Sequence, residues 1–277
     1  MPVTALTSIS ASPGVTSTAL TWAQVNTKPT LLVEADPAGG APLLCLAWQG
    51  AQAHNRSLLD LAHHPVGEYP QRIWDVVLQL PQRSDAWILP GVASRAQASS
   101  FGDLWSALGD ALRRISAETG IDVVIDMGRW GATGYPTSLL HHADAALIMT
   151  DTTLPALNCL SLGLEDLAKR LDGVGATHRL AVVPLLGNEK GGKHRPYGPR
   201  EIQQVTGSVP VLPGIERDVK AAGDRVWSKE RQRMRWLDRL INPHSGYALS
   251  VQRLIEAAGK HAASAEAYLL TQGDDLP

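Results

Sequence analysis

The sequence predicts an α/β fold, a three-layer sandwich in which helices cover both faces of a mostly parallel sheet of seven or eight strands. Short apolar runs alternate with segments of helical spacing along the 277 residues, and near-continuous apolar strands are typical of a sheet that is buried on both faces. With 44% hydrophobic and 19% charged residues, the chain also has the apolar content for one large core in a single domain.

Each element is predicted from its own residues. Strands are expected where short apolar runs are bounded by turn-forming residues, at 3–10, 30–34, 85–89, 122–125, 143–149, 180–186 and 209–212. Helices are expected where apolar residues recur every three to four positions, at 16–25, 103–119, 160–171 and 248–269. The last of these helices places Leu249, Leu254, Ile255 and Ala258 near one face, which predicts that it packs on the core.

Charge and cysteine content argue against several classes of protein. A formal net charge of −2 leaves no global basic field, so nucleic-acid binding would need a local basic patch. The cysteines Cys45 and Cys159 are too few and too far apart for a disulfide scaffold or a thiolate zinc site. The first ten residues lack the basic and apolar segments of a secretory leader, so we expect a cytoplasmic protein with no stable membrane insertion.

The loops that follow the predicted strands are where a ligand is expected. In a parallel α/β sheet the ligand lies outside the carboxyl ends of the strands. The loops at that edge are residues 10–17, 36–40, 126–135, 151–155 and 187–197. The sequence therefore predicts a functional site formed by these loops.

The loop after the first strand has the placement of a phosphate-binding loop. Residues 11–18 read ASPGVTST and lie between a strand and the start of a helix. A working loop of this kind combines inward-facing backbone amides, a lysine on the phosphates and a Ser or Thr hydroxyl on magnesium. Thr18 supplies such a hydroxyl, but Ser17 stands where the lysine is expected, and Pro13 has no amide to donate.

The ordered set of motifs resembles the MinD/ParA family of deviant Walker-A P-loop ATPases. The family loop reads KGGxGK[ST], and residues 12–18 match it at Gly14 and Thr18 and keep the valine that is common between them. Both family lysines are replaced, by Ser12 and Ser17.

Further segments carry the resemblance through residues 1–260, which we expect to form one P-loop domain, with 261–277 as the helix end and tail. LLVEADPAGG at 31–40 is similar to the second strand and the DxDP segment of the family, with Glu34 and Asp36 at the acidic positions. DVVIDMGRWG at 122–131 resembles the Walker-B strand, with Asp126 as its carboxylate.

The resemblance implies a set of site residues. The nucleotide would contact the loop and the segment near the base, which are Ser12, Pro13, Gly14, Val15, Thr16, Ser17, Thr18, Pro213 and Asp218. Asp36 would be the catalytic carboxylate, and Thr18 and Asp126 would hold Mg²⁺ if a nucleotide binds. Without a triphosphate, Asp36 and Asp126 would instead cap the loops that follow them, because Mg²⁺ takes part of its shell from substrate oxygens.

The loss of both lysines predicts a catalytically impaired protein. Helix amides and the helix dipole alone do not replace two cations beside a triphosphate. The alternatives are weak binding of ATP and Mg²⁺ without fast hydrolysis, and a working ATPase in which Arg129, Lys190 or Lys193 supplies the charge. We expect no resident cofactor, and a homodimer that acts through protein contacts in positioning or assembling a larger machine. A Tad-type secretion or pilus apparatus, with a TadZ/CpaE-like role, or a partition system is the expected context.

A basic stretch late in the chain supports an alternative function. Within residues 225–239 the basic side chains are Arg225, Lys229, Arg231, Arg233, Arg235 and Arg239. They form either a solvated helix face or a surface for DNA or an acidic partner. The alternative is therefore an ATP-binding DNA-partition ATPase with non-specific DNA binding.

Overall fold

The computed structural model of the chain describes residues 2–10, 14–48, 50–81, 83–172, 176–187, 197–216 and 245–273. Its strands are β1 (Val3–Ser8), β2 (Thr30–Glu34), β3 (Leu78–Gln79), β4 (Ala86–Leu89), β5 (Asp122–Arg129), β6 (Ala145–Asp151), β7 (Leu180–Leu186) and β8 (Ile215–Glu216). They form one eight-stranded sheet in the order β3-β4-β2-β5-β1-β6-β7-β8. All neighbours pair in parallel except β3 and β4. The predicted mostly parallel α/β sheet is confirmed.

Helices connect the strands. They are α1 (Val15–Val25), α2 (Pro42–Trp48), α3 (Tyr69–Val76), α4 (Arg95–Phe101), α5 (Leu104–Thr119), α6 (Thr137–His142), α7 (Leu154–Asp172), α8 (Pro199–Thr206) and α9 (Gly246–Gly273). Short 3₁₀ turns occur at Leu58–His63, Val66–Glu68 and Ala176–Arg179. Within the described residues no helix is long and apolar enough to cross a bilayer.

Two apolar clusters, one on each face of the sheet, produce the three layers. Along β5, Val123 and Ile125 belong to one cluster and Val124 to the other, since successive strand side chains point to opposite faces. The first cluster includes residues of α3, α5 and α7, and the second includes residues of α1, α2 and α9. Because both faces are covered, neither face of the central strands meets solvent, which is why their sequences are mostly apolar.

The predicted strand at 209–212 is largely wrong. Val211 makes a single bridge to Val182, and the paired strand beyond β7 is the two-residue β8. The C-terminal helix packs on the core as predicted, through Leu254 and Ala258, but Leu249 is 44% exposed. The basic stretch at 225–239 lies outside the described residues.

Candidate functional site

The loop after β1 ends in a turn at Gly14, and α1 begins directly after it at the carboxyl edge of the sheet. Gly14 precedes the helix with φ of 80°, in the left-handed region that glycine adopts without strain. Glycine has no side chain that could cap the helix, so the backbone amides in the first turn of α1 are available to a ligand. Ser12 and Pro13, two of the predicted loop residues, lie outside the described residues.

Thr16 lies beside the carboxylate of Asp126. Its hydroxyl lies in the first turn of α1, close enough to that carboxylate to lower the carboxylate's pKa. Asp126 is fully buried near the end of β5, and its Oδ1 accepts the Gly128 amide at 3.1 Å. The Oδ2 atom has no hydrogen-bond partner within the part of the chain that the structure describes. A hydroxyl and a carboxylate oxygen therefore meet at the start of the helix.

Thr18 faces a different part of the protein. It is fully buried, and its hydroxyl lies 3.1 Å from the hydroxyl of Tyr247 on α9. Magnesium binding by Thr18 stays a prediction. Thr16, which was predicted only as a loop residue that contacts the nucleotide, is the hydroxyl residue that lies beside Asp126.

Asp36 completes the edge beside Asp126. It follows β2, which pairs with β5, and its Oδ1 accepts the Ala38 amide at 2.8 Å. The Asp36 carboxylate rests against Gly128, where any Cβ atom would overlap it. Gly128 has φ of 62°, so two separate constraints favour glycine there. The predicted catalytic carboxylate and the predicted metal carboxylate are thus brought to one place.

Glu34 binds two loops at the same edge. The side chain is 2% exposed. Its Oε1 accepts the Leu43 amide at 2.8 Å, and its Oε2 accepts the Gly91 amide at 2.9 Å. One carboxylate therefore joins the start of α2 to the loop that follows β4. This contact was not predicted, because nothing in the sequence pairs residues 34, 43 and 91.

The three carboxylates make the site acidic. Burial raises the pKa of Glu34 to about 7, although its two backbone hydrogen bonds lower it. Burial likewise raises the pKa of Asp126 to about 7, opposed by the hydrogen bonds from Thr16 and Gly128, and the charges of Asp36 and Glu34 raise it further. Among the described residues, no Lys or Arg forms an ion pair with Glu34, Asp36 or Asp126.

Comparison with known proteins identifies the fold. No family model matches the sequence, and no curated protein matches it. Among solved structures, the septum site-determining protein MinD of Pyrococcus horikoshii OT3, complexed with Mg-ADP, is 18% identical with a TM-score of 0.66, over 95% of this chain and 98% of that one. A ParA family ATPase of Chlorobium tepidum TLS is 16% identical with a TM-score of 0.65, over 90% and 96%. MinD in the MinC:MinD complex of Aquifex aeolicus is 15% identical with a TM-score of 0.62, over 100% and 98%. The chain has the MinD/ParA fold.

The resemblance predicted from the motifs is confirmed at the level of this fold. In the MinD/ParA fold the loop after β1, the end of β2 and the end of β5 share one edge, so the sequence motifs were placed correctly relative to one another. Asp36 and Asp126 are the predicted residues that the structure brings together.

Among the described residues, this edge offers oxygen atoms for magnesium but no paired cation for phosphate groups. Thr16 and Asp126 offer oxygen atoms of the kind that magnesium prefers. Phosphate groups need cations or many amides, and the described part of this edge presents carboxylates with no paired cation. Lys190 and Lys193, two of the candidate compensating cations, lie outside the described residues.

Residues 130–135, which follow β5, lie at the same edge of the sheet and pack on β1. Trp130 donates its amide to Ser8 at 2.7 Å, and its ring meets Tyr135 edge-on with 4.9 Å between centroids. The Tyr135 hydroxyl donates to Thr7 at 2.8 Å, and the Thr7 hydroxyl donates to the Gly128 carbonyl at 3.0 Å. These bonds hold the segment on β1, and leave Arg129 exposed at the end of β5.

Apart from the loop after β1 and the carboxylates described above, no predicted site residue within the part of the chain that the structure describes lies at this edge. Pro213 is exposed and lies just before β8, three strands from β1 in the sheet order. Asp218 and the basic residues Arg225, Lys229, Arg231, Arg233, Arg235 and Arg239 fall outside the described residues.

Proposed function

We propose that the protein is a catalytically impaired relative of the MinD and ParA ATPases that acts through protein contacts. Its work is the positioning or assembly of a larger machine, a Tad-type secretion or pilus apparatus or a partition system, in the cytoplasm. The observation that carries the proposal is the replacement of both lysines of the family loop, by Ser12 and Ser17.

Electrostatics is the reason that a loop without these lysines opposes catalysis. Unit charges 4 Å apart interact by about 4 kcal/mol at an effective dielectric constant of 20, so each missing lysine removes attraction for the phosphates on that scale. The dipole of α1 returns about 0.3–1 kcal/mol, and about 2 kcal/mol in good geometry. With Ser17 and Val15 where a lysine could have stood, the loop has no side chain that replaces the lost attraction.

If this edge does not catalyse ATP hydrolysis, binding another protein is the function that we propose for it. MinD is solved in a complex with MinC, so the fold supports partner binding. We propose a homodimer as the working unit, because loops held in place by Glu34 and Tyr135 present a preformed surface that needs no nucleotide to order it.

A second candidate is an ATP-binding DNA-partition ATPase. The contact between Thr16 and Asp126 favours it, because Mg²⁺ takes hydroxyl and carboxylate oxygens and the Asp126 Oδ2 atom has no partner in the described residues. The basic residues at 225–239 would then supply the non-specific DNA contacts.

Calorimetry with ATP and ADP, each with and without Mg²⁺, separates the two candidates. An impaired protein gives no saturable heat and no steady phosphate release. Saturable ATP binding with turnover that Asp36→Ala abolishes would overturn the proposal. DNA binding in a low-salt gel shift that requires ATP and weakens in an Arg231→Glu and Arg235→Glu variant would support the second candidate instead.

A further inference from the structure

A serine, a histidine and an aspartate lie in a row where the helix α6 packs on α5, outside the loops that follow the strands. The Ser106 hydroxyl lies 3.3 Å from Nε2 of His142, and Nδ1 of the same ring lies 3.3 Å from Oδ1 of Asp110. Ser106 and Asp110 are one helical turn apart on α5, so their side chains share a face. His142 is the last residue of α6, and its ring bridges the two.

The backbone of α5 holds this imidazole in place. The ring of His142 rests against Gly109, where any Cβ atom would overlap it. Gly109 is itself buried, and the His142 side chain is 18% exposed. Because the ring packs directly on a helix backbone, its position between the serine and the aspartate is set before any substrate arrives, which is the condition for an efficient proton transfer.

The carboxylate of Asp110 determines which ring nitrogen carries the proton. An ionised carboxylate only accepts hydrogen bonds, so the proton of the neutral ring is on Nδ1, facing Asp110. Nε2 then has a free lone pair, and the Ser106 hydroxyl donates to it. This is the arrangement by which a histidine activates a serine as a nucleophile.

The surroundings of His142 keep the ring neutral near pH 7. Burial lowers the pKa of His142 below its ordinary value of 6.5, although the charge of Asp110 on α5 raises it. The other charged or titratable groups that act on the ring, all of which lower its pKa further, are Arg113 of α5, His141 of α6 and Arg179 of the last 3₁₀ turn. The ring is therefore available as a base at neutral pH.

Solvent reaches the serine end of the row. Ser106 is half-buried in the first turn of α5. Four residues earlier, Gly102 has no described atom within 4 Å of the place where a Cβ would lie, so there is open space beside this turn. The positive end of the α5 dipole is at the same place, where attack by a serine on a carbonyl group develops negative charge.

We propose that Ser106 and His142 catalyse the transfer of a small acyl group from a carboxylic ester to water, with Asp110 as a positioning residue. The Ser106 oxygen bonds to the carbonyl carbon of the ester while its proton moves to Nε2 of His142. The bond between that carbon and the alcohol oxygen then breaks, and the alcohol leaves with the proton. Water attacks the acyl-serine with the same base, and the carboxylic acid leaves as Ser106 regains a proton. The activity goes beyond the proposed function, because it uses neither the loop edge nor a nucleotide.

Hydrolysis of p-nitrophenyl acetate by the full chain tests this activity. The wild type should release p-nitrophenol near neutral pH, and Ser106→Ala and His142→Ala should each lower the rate above the buffer blank at least about tenfold. Ser161→Ala, at an exposed serine of α7, is the matched control and should keep the wild-type rate. An alkyl fluorophosphonate should label Ser106 and leave Ser161 unlabelled, as read by mass spectrometry of the digested protein.

The pH profile of the rate tests the part of Asp110. The rate should rise with pH as His142 loses its proton, and Asp110→Asn should move this rise to lower pH, because the charge that raises the pKa of His142 is gone. A purely structural role of Asp110 would leave the midpoint unchanged.

Three outcomes would overturn the proposal. These are a rate that is equal in Ser106→Ala and in the wild type, a fluorophosphonate label that is absent from Ser106, or a rate that does not depend on His142. Thermal melts check that the variants fold, and His142→Gln replaces His142→Ala if the alanine variant does not.

Discussion

The hydroxyl of Thr18 lies 3.1 Å from the hydroxyl of Tyr247, and this contact joins the helix after the first loop to the C-terminal helix. The two residues are 229 positions apart in the sequence. The loop edge of the sheet is therefore tied to the last element of the chain through a fully buried side chain.

Removing this hydrogen bond should lower the stability of the fold. We expect Tyr247→Phe to reduce the free energy of unfolding by about 1 kcal/mol, because the buried Thr18 hydroxyl loses its partner. Thr18→Val should cost a similar amount, and the double variant should cost less than the sum. Urea unfolding measures all three. Tyr268→Phe, at a 44% exposed tyrosine of the same helix, is the control, and additive effects at Thr18 and Tyr247 would contradict the contact.

Lysine substitutions distinguish the two possible registers of the loop. In a phosphate-binding loop the lysine directly precedes the hydroxyl residue of the metal. Since Thr16 contacts Asp126, Val15→Lys should raise the affinity for ATP and Mg²⁺ at least about tenfold, whereas Ser17→Lys should not. Calorimetry gives the affinities. Thermal melts check folding, because Val15 is 5% exposed and belongs to the core. A gain from Ser17→Lys alone would support the register predicted from the sequence.

Stability should fall as pH rises towards 8. The folded pKa of Glu34 and of Asp126 is about 7, above the ordinary values of 4.5 and 3.8, so the native state binds more protons between about pH 4 and pH 7. Their contribution is fully present below the unfolded pKa values and is lost as pH rises through 7. The loss approaches about 3 kcal/mol for Glu34 and about 4 kcal/mol for Asp126.

Variants locate the source of this pH dependence. Asp126→Asn should reduce the dependence of unfolding free energy on pH by about half, measured in urea from pH 5 to pH 8, because the amide stays neutral while Glu34 still titrates. Asp75→Asn, at an exposed carboxylate, is the control and should leave the slope in place. An unchanged slope in the Asp126 variant would show that this carboxylate is not the group that titrates.

Gly128 should tolerate no side chain while Asp36 keeps its position. We expect Gly128→Ala to destabilise the protein more than Gly120→Ala, a glycine with φ of 73° and open space where its Cβ would lie. Both substitutions place alanine in a left-handed backbone conformation, which costs about 1 kcal/mol. The difference between their free energies of unfolding therefore measures the overlap of a Cβ atom at position 128 with Asp36. Asp36→Gly should recover part of that difference. Equal effects of the two alanine variants in urea unfolding would contradict the contact.

The sequence predicted the central layers of the fold because the same residues determine local and tertiary structure there. Strands such as β2 and β7 are apolar on both faces, so burial and strand preference agree. The two-residue strands β3 and β8 and the seven-residue helices α2 and α4 escaped prediction, since so few residues show no periodicity.

The site was predicted in part. Asp36 and Asp126 were expected at one edge because each follows an apolar run in the sequence, and the parallel pairing of β2 with β5 makes them neighbours. The position of Thr16 beside Asp126 was not predicted, because it depends on the residue at which α1 begins, and helix boundaries are not fixed by composition. The bonds of Glu34 depend on backbone amides, which have no signature in the side-chain sequence.

The two hydrogen bonds that Glu34 accepts from the Leu43 and Gly91 amides have a mechanical consequence. If the turn that contains Asp36 moves away from the start of α2 or from the turn at Gly91, one of two buried hydrogen bonds breaks. We therefore expect the turn at Asp36, the start of α2 and the turn at Gly91 to shift together, so that a partner that displaces one of them also moves the others.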